Sequence, residues 1–278
     1  MTGGPGLPLA GRRALVTGAS RGLGAAVAAQ LAEAGVTVAV TARPGGDLER
    51  VAQHIRQEGG HVIIIPADLA LADDAERIVA DAASALGGLD VLINNASRVE
   101  PLGRFWDTDS QDWERGLTVN LLAPARLSRA ALRLMVPVGW GRLLAISSGA
   151  AASPGIEGAS AYSVAKTALE ALTCCLAREA TGTGVTVNAV RPGTMDTAMQ
   201  ERMRHAGAHE LAEWTRERYV RLFRDGRLTK PTQVAAFVIK LLQTNLNGRI
   251  LDVRRALDRA DVEANLSSQS ADEDVRKG

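Results

Sequence analysis

Seven short apolar runs punctuate the chain, at residues 14–17, 37–41, 62–66, 91–94, 142–147, 185–190 and 249–253. Most are rich in Val, Ile and Leu and do not alternate with polar residues. That pattern fits parallel strands buried on both faces, because a strand with one wet face must alternate. Helix-length segments separate them, among them 25–34, 73–86, 113–135, 163–180 and 232–242. The last starts after Pro231, a residue suited to a first helical position. Parallel neighbours need crossovers, and crossovers are right-handed, so few topologies remain. The expected fold is a single α/β domain: a doubly wound, seven-stranded parallel sheet with helices on both faces. Residues 1–11 read as a flexible leader, 12–253 as the domain, and 254–278 as a mobile C-terminal tail with a short helix at 255–264.

The charge balance excludes some partners. With 32 basic and 31 acidic residues the net charge is +1, so no nucleic-acid partner is expected. No apolar run reaches the ~18–20 residues of a membrane span, so no membrane partner is expected either. Residues 1–10 lack the basic and apolar regions of a signal peptide, which leads us to expect a cytoplasmic protein. Cys174 and Cys175 are adjacent in a helical stretch, which fits neither a disulfide nor a zinc site, and no metal is expected. Among the 32 basic residues only Lys166, Lys230, Lys240 and Lys277 are lysines. Lys166 lies within an apolar helical stretch.

The first strand runs into Thr17-Gly18-Ala19-Ser20-Arg21-Gly22-Leu23-Gly24 and then a helix. Glycines there let the backbone turn tightly and approach a pyrophosphate, which the free N–H groups of a helix start would receive. The same spacing also fits a plain glycine-rich turn. The second strand ends in Thr41-Ala42-Arg43, without the acid that an NAD site places near a ribose 2′-hydroxyl. Arg21 and Arg43 would instead suit a 2′-phosphate, so NADP(H) is favoured over NAD(H); one of the two, less readily both, could be merely solvated. Asp68 fits a hydrogen bond to an adenine amino group or a helix N-cap. Asn94-Asn95-Ala96-Ser97 ends the fourth strand with small residues and polar groups that need partners.

Ser147-Ser148 closes the fifth strand, and Tyr162 and Lys166 lie four apart on the next helix, on one face. A phenol has a pKa of about 10 and is a poor base near neutrality. An ammonium one turn away favours its phenolate and is expected to lower that pKa. Such a group can exchange a proton with a carbonyl or alcohol oxygen, with Ser148 bonding the same oxygen. A Tyr-x-x-x-Lys pair alone is weak evidence; its place after a strand ending in Ser-Ser gives it weight.

Together these pieces resemble the short-chain dehydrogenase/reductase family. The matching residues are 17–24, Asp68, Asn94-Asn95-Ala96, Asn120, Ser148, Tyr162-x-x-x-Lys166, Arg191-Pro192-Gly193 and Thr197, in family order across most of 12–253. The resemblance implies a Rossmann fold and a catalytic set of Asn120, Ser148, Tyr162 and Lys166. In it Tyr162 is the general acid/base and Lys166 lowers its pKa and holds the nicotinamide ribose. Ser148 orients the carbonyl, and Asn120 holds a water linking Lys166 to solvent. The implied cofactor residues are Gly18, Ser20, Arg21, Gly22, Leu23, Gly24, Arg43, Asp68, Leu69, Asn95, Ala96, Tyr162, Lys166, Pro192, Gly193 and Thr197. It also implies transfer from the 4-pro-S face. Ser97 departs from the family's usual glycine. The Ser148–Tyr162 spacing is one longer than in many members, which leaves Ser147 as the alternative serine. Asp252-Val253-Arg254 replaces the usual Asp-Gly-Gly.

Residues 198–230 stand where relatives carry a substrate lid. Met195, Met199, Leu211, Trp214, Tyr219, Leu222 and Phe223 could line a pocket for a bulky ketone, or simply form a buried stripe. The expected activity is an NADPH-dependent carbonyl reductase or alcohol dehydrogenase. The alternatives are a 3-oxoacyl thioester (acyl-carrier-protein) reductase and a non-catalytic NADP(H) sensor. Stretches 136–140 and 180–183, where carrier-protein reductases often carry basic residues, have none. A homo-oligomer, tetramer or dimer, is expected through helices 113–135 and 163–180.

Overall fold

The computed structural model describes residues 7–72, 74–152 and 154–277, with side chains described through residue 269. Seven strands form one parallel sheet: β1 (Arg13–Thr17), β2 (Thr37–Thr41), β3 (Val62–Ile64), β4 (Val91–Asn94), β5 (Gly141–Ile146), β6 (Val185–Arg191) and β7 (Ile250–Asp252). Their order is β3-β2-β1-β4-β5-β6-β7. Successive residues of the inner strands feed opposite cores, which explains the unbroken apolar runs. Ala14 and Val16 pack with α1 (Gly22–Glu33), α2 (Gly46–Gln57) and α9 (Pro231–Leu242). Leu15 packs on the other face with α3 (Asp74–Leu86) and α5 (Ala123–Val138). Each fully buried Leu, Ile or Val contributes about 1.5–3 kcal/mol relative to exposure. The strand order reverses between β1 and β4, and a crevice at such a switch point receives ligands at the carboxyl ends of the strands.

The long helix expected at 113–135 is broken. α4 (Ser110–Leu117) passes through a π-helical turn (Thr118–Leu122) into α5. Pro124 has no N–H to give the carbonyl of residue 120, and the turn takes the wider register, with Ala123 N–H donating to the Thr118 carbonyl. Asn120 is completely buried in that turn.

The termini also differ from expectation. Residues 1–6 of the expected leader lie outside the described residues, but Leu9 is buried in the core beside α1 and α9. The expected tail forms α10 (Ala256–Lys277). Polar contacts anchor it: Asp258 accepts from the Asp252 N–H at 2.7 Å, Asp261 pairs with Arg249, and Asn265 accepts from the Asn245 N–H at 3.0 Å. Val262 is buried against the core. Among the described residues no helix is long and apolar enough to cross a membrane.

Candidate active site

The glycine turn lies at the switch point. Gly18 and Gly22 adopt φ of 64° and 59°, the left-handed region where a side chain is strained. A Cβ on Gly24 would fall 2.3 Å from the Gly18 carbonyl oxygen, so helix and turn touch directly. The Thr17 hydroxyl donates to the Ile93 carbonyl and accepts from the Asn95 and Ala96 N–H groups at 2.9 and 3.0 Å. The Asn95 amide donates to the carbonyls of Thr17 and Gly18 at 2.8 and 3.2 Å. The Asn95 side chain thus braces the turn, a role that its position in the sequence did not reveal. Asn94 donates to the Ser128 hydroxyl at 3.0 Å.

The start of α1 fits a phosphate. Arg21 is extended at the N-cap, no side chain caps the first turn, and that turn holds no acid. The Leu23 and Leu69 side chains are buried in opposite cores, which leaves only their backbones for a ligand. Arg21 and Arg43 are exposed, and neither pairs with another described residue. Asp68 is not the cap of α3. Its carboxylate accepts from the Ala70 N–H at 3.0 Å, while Asp74 accepts from the Asp68 N–H at 2.9 Å.

Ser148, Tyr162 and Lys166 come together beyond β5, on the short Gly149–Ala151 turn and α6 (Ser160–Glu179). Tyr162 is buried, and Lys166 is 2% exposed with Nζ 5.7 Å from the phenol ring centroid. That ammonium donates to the Ile146 carbonyl at 2.8 Å. The two serines are distinguished by their partners. Ser147 is buried and donates its hydroxyl to Glu170 at 2.6 Å. Ser148 is half-buried, accepts from the Ala150 N–H at 3.1 Å, and acts on the phenol.

The electrostatics correct one expectation. Burial raises the Tyr162 pKa above its ordinary value, while hydrogen bonding from Ser148 and Ser97 opposes the rise. The cause is the apolar cluster around the phenol, which includes Val99, Ala150, Met203 and Leu211. Burial brings Lys166 down to about 8, and Glu170 opposes that fall.

Asn120 holds the segment after β4. Its Oδ1 accepts from the Ser97 hydroxyl at 2.7 Å and the Arg98 N–H at 3.0 Å, and its Nδ2 donates to the Arg98 carbonyl at 2.7 Å. Ser97, noted in the sequence only as a departure from glycine, therefore lies between Asn120 and the phenol. Pro192 is buried and Gly193 takes φ of 78°. Thr197 caps α7 (Ala198–Arg204), and its methyl lies 3.4 Å from where a Gly22 Cβ would stand. The lid start therefore faces the glycine turn. Arg254 packs on Gly193, a neighbour that its distance along the chain concealed.

The rest of the lid is α8 (Glu213–Arg224). Leu211, Met203 and Tyr219 are buried in the Tyr162 cluster, with Met199 and Leu222 against it. Trp214 and Phe223, grouped in the sequence with the pocket residues, are instead 56% and 51% exposed.

A family model described as short chain dehydrogenase matches residues 12–208. A rabbit (Oryctolagus cuniculus) protein, dehydrogenase/reductase SDR family member 4, is 32% identical over 231 residues, covering 83% of this chain and 86% of that protein. The 3-oxoacyl-[acyl-carrier-protein] reductase FabG of Pseudomonas aeruginosa is 36% identical over 238 residues, 84% of this chain and 90% of its own. Among solved structures, an actinorhodin polyketide ketoreductase with NADPH superposes with a TM-score of 0.78 at 29% identity, covering 87% of this chain and 95% of that one.

Proposed function

This chain belongs to the short-chain dehydrogenase/reductase family of oxidoreductases, and from that premise we propose that it is an NADPH-dependent carbonyl reductase acting on a bulky ketone. The same chemistry run backwards is an alcohol dehydrogenase. The observation that carries the reading is the meeting of Ser148, Tyr162 and Lys166 at the strand ends beside the glycine turn.

The chain's own groups fit the cofactor. Gly18, Ser20, Arg21, Gly22, Leu23 and Gly24 would hold the pyrophosphate, with Arg21 and Arg43 on a 2′-phosphate. Asp68 and Leu69 would hold the adenine, and Asn95 and Ala96 the adjoining ribose path. Tyr162 and Lys166 would take the nicotinamide ribose, and Pro192, Gly193 and Thr197 the carboxamide end. When bound, the nicotinamide supplies the hydride.

The protein moves the proton. Ser148 donates to the carbonyl oxygen and sets it beside the phenol. Tyr162 then gives its proton to that oxygen. Burial suits this direction, since it keeps the phenol protonated at neutral pH. Lys166, largely cationic below about pH 8, stabilises the phenolate left behind. Asn120 fixes residues 97–98, so that the Ser97 hydroxyl stays beside the phenol.

NADPH consumption with a panel of ketones tests the reading. Wild type is expected to prefer NADPH, and Arg43→Asp to shift that preference toward NADH by about tenfold or more. An unchanged preference would remove Arg43 from cofactor selection. The identity to the Pseudomonas reductase favours a second reading, a 3-oxoacyl thioester reductase. Turnover of an acetoacetyl carrier-protein thioester well above the free thioester would establish it in place of the first.

We also propose that the chain assembles as a dimer or tetramer through α5 and α6. Leu132, Val136, Leu172 and Leu176 line an apolar groove between the two helices, and Leu134 and Val138 are exposed nearby. Light scattering is expected to give at least twice the chain mass of 29.2 kDa, and a monomeric mass would contradict it.

A further inference from the structure

One buried carboxylate beside the active site has no part in the scheme above. Glu170 is 6% exposed on α6, one turn beyond Lys166, so Tyr162, Lys166 and Glu170 share a helix face. Its Oε1 accepts from the Ser147 hydroxyl at 2.6 Å and from Arg191 Nε at 2.7 Å, and its Oε2 accepts from Arg191 Nη2 at 2.6 Å. The guanidinium engages it as a two-pronged fork, the strongest form of this contact. The Ser147 N–H in turn donates to the Val190 carbonyl at 2.8 Å. One carboxylate thus ties together three pieces of the site: the β5 end that carries Ser148, the helix that carries Tyr162 and Lys166, and the β6 end that leads into Pro192-Gly193.

We propose that Glu170 is a positioning residue for the reaction: through Ser147 and Arg191 it aligns Ser148 with the Pro192-Gly193 turn, and it sets a carboxylate one helical turn from Lys166. The inference rests on the roles given above to Tyr162 and Lys166.

The physical argument is one of charge balance in a dry place. An isolated ammonium as buried as Lys166 is driven toward its neutral form. On α6 the groups facing it are the Tyr162 phenol and the Glu170 carboxylate, and β5 offers the Ile146 carbonyl. From β6 the Arg191 guanidinium stands behind Glu170, and Asp252 of β7 and Asp258 of α10 act on Arg191 in turn. Arg254, paired with Asp252, completes the row. Among these groups the Glu170 carboxylate, one turn along α6, favours the charged form of Lys166 through its charge. Arg191 shares that carboxylate and so weakens its pull.

The two partners should therefore move Lys166 in opposite directions. The chain has only four lysines, so protein labelled with 13C at the lysine ε-carbons gives four signals to titrate by NMR. Loss of one signal in Lys166→Arg assigns the site. In Glu170→Gln the Lys166 midpoint is expected to fall by about one pH unit, because the carboxylate is gone and the guanidinium stays. In Arg191→Gln it is expected to rise by about as much, because the carboxylate is left unshared. Ser147→Ala, which keeps both charges, should leave the midpoint in place. Glu170→Gln should also lower kcat by about tenfold with a smaller change in the KM for NADPH.

A residue that only braces the fold would lower stability in both charge variants without these opposed shifts. A midpoint within about 0.2 pH unit of wild type in either charge variant, or shifts of the same sign, overturn the proposal. Should Glu170→Gln not fold, the Arg191→Gln arm decides alone. The NMR titration needs no substrate, so its failure is separate from a failure of the reductase reading, which Tyr162→Phe tests.

Discussion

Tyr162→Phe is expected to lower kcat by about a thousandfold or more, while NADPH binding changes by no more than about twofold. The variant keeps the ring, which packs with Val99, Met203, Leu211 and Tyr219, and deletes only the oxygen that carries the proton. The phenol's contact with the nicotinamide ribose is lost, but the cofactor's phosphates and adenine meet other residues, so most of the binding energy is untouched. The stability change should be small and of either sign. The phenol is buried, and its Ser148 and Ser97 partners keep other contacts to Ala150 and Asn120. Steady-state turnover with the best ketone, together with NADPH fluorescence titration, measures both quantities. Surviving activity would remove Tyr162 from proton transfer.

Lys166→Met should separate activity from stability. The variant loses the cation that stabilises a phenolate, and its kcat is expected to fall by about a hundredfold or more. Its NADPH affinity should also weaken, since a ribose contact is lost. Yet Lys166 is 2% exposed and burial brings it from 10.5 to about 8, so the fold works against its charge. A methionine of similar volume removes that penalty, and the variant should be more stable than wild type at pH 7 by up to roughly 3 kcal/mol.

The sign follows from proton binding. Between about pH 8 and 10.5 the unfolded chain holds a proton on this lysine that the folded chain has released. Wild-type stability therefore rises with pH across that window, and the advantage of the variant shrinks toward pH 10. Reduction by wild type should slow above about pH 8 for the same reason, as the ammonium is lost. Denaturant midpoints of both proteins at pH 7 and pH 10 measure the effect. Equal stabilities at both would contradict a buried, penalised ammonium.

The sheet was legible because parallel strands buried on both faces leave unbroken apolar runs, and all seven runs became strands. The residues at fixed local spacing were legible too: the glycines of 17–24, and Tyr162 and Lys166 one turn apart. Three features were not. Helix α2 has its apolar positions, Leu48, Ala52 and Ile55, at helical spacing, but charged neighbours dilute the signal. The π-turn at Asn120 depends on a single missing N–H at Pro124, which propensity along a long helix does not register. Helix α10 was legible only as a short helix at 255–264; its continuation is not, because its anchors are single contacts (Asp258, Asp261, Asn265 and the buried Val262) rather than a long apolar stripe.

The site shows the same division. Spacing placed Tyr162 and Lys166 on one helix face, but it could not say which effect governs the phenol. Hydrogen bonds from Ser148 and Ser97 pull its pKa down, whereas the lid residues Met203, Leu211 and Tyr219 close an apolar cluster around it, and burial wins. Likewise nothing near Ser147 or Ser148 in sequence distinguishes them. Their partners do, and Glu170 lies 23 positions from Ser147. Asn95 reads as a ligand group and serves as a brace because its acceptors, the carbonyls of Thr17 and Gly18, lie across the sheet's switch point.

The most direct measurement of the central claim follows the label. NADPH carrying deuterium on its 4-pro-S face is incubated with a bulky ketone and the wild-type enzyme, and the product alcohol is read by mass spectrometry. The account predicts one deuterium at the carbinol carbon with wild type and a rate lower by about a thousandfold or more with Tyr162→Phe. Unlabelled alcohol from wild type, or undiminished deuterium transfer by Tyr162→Phe, would contradict it.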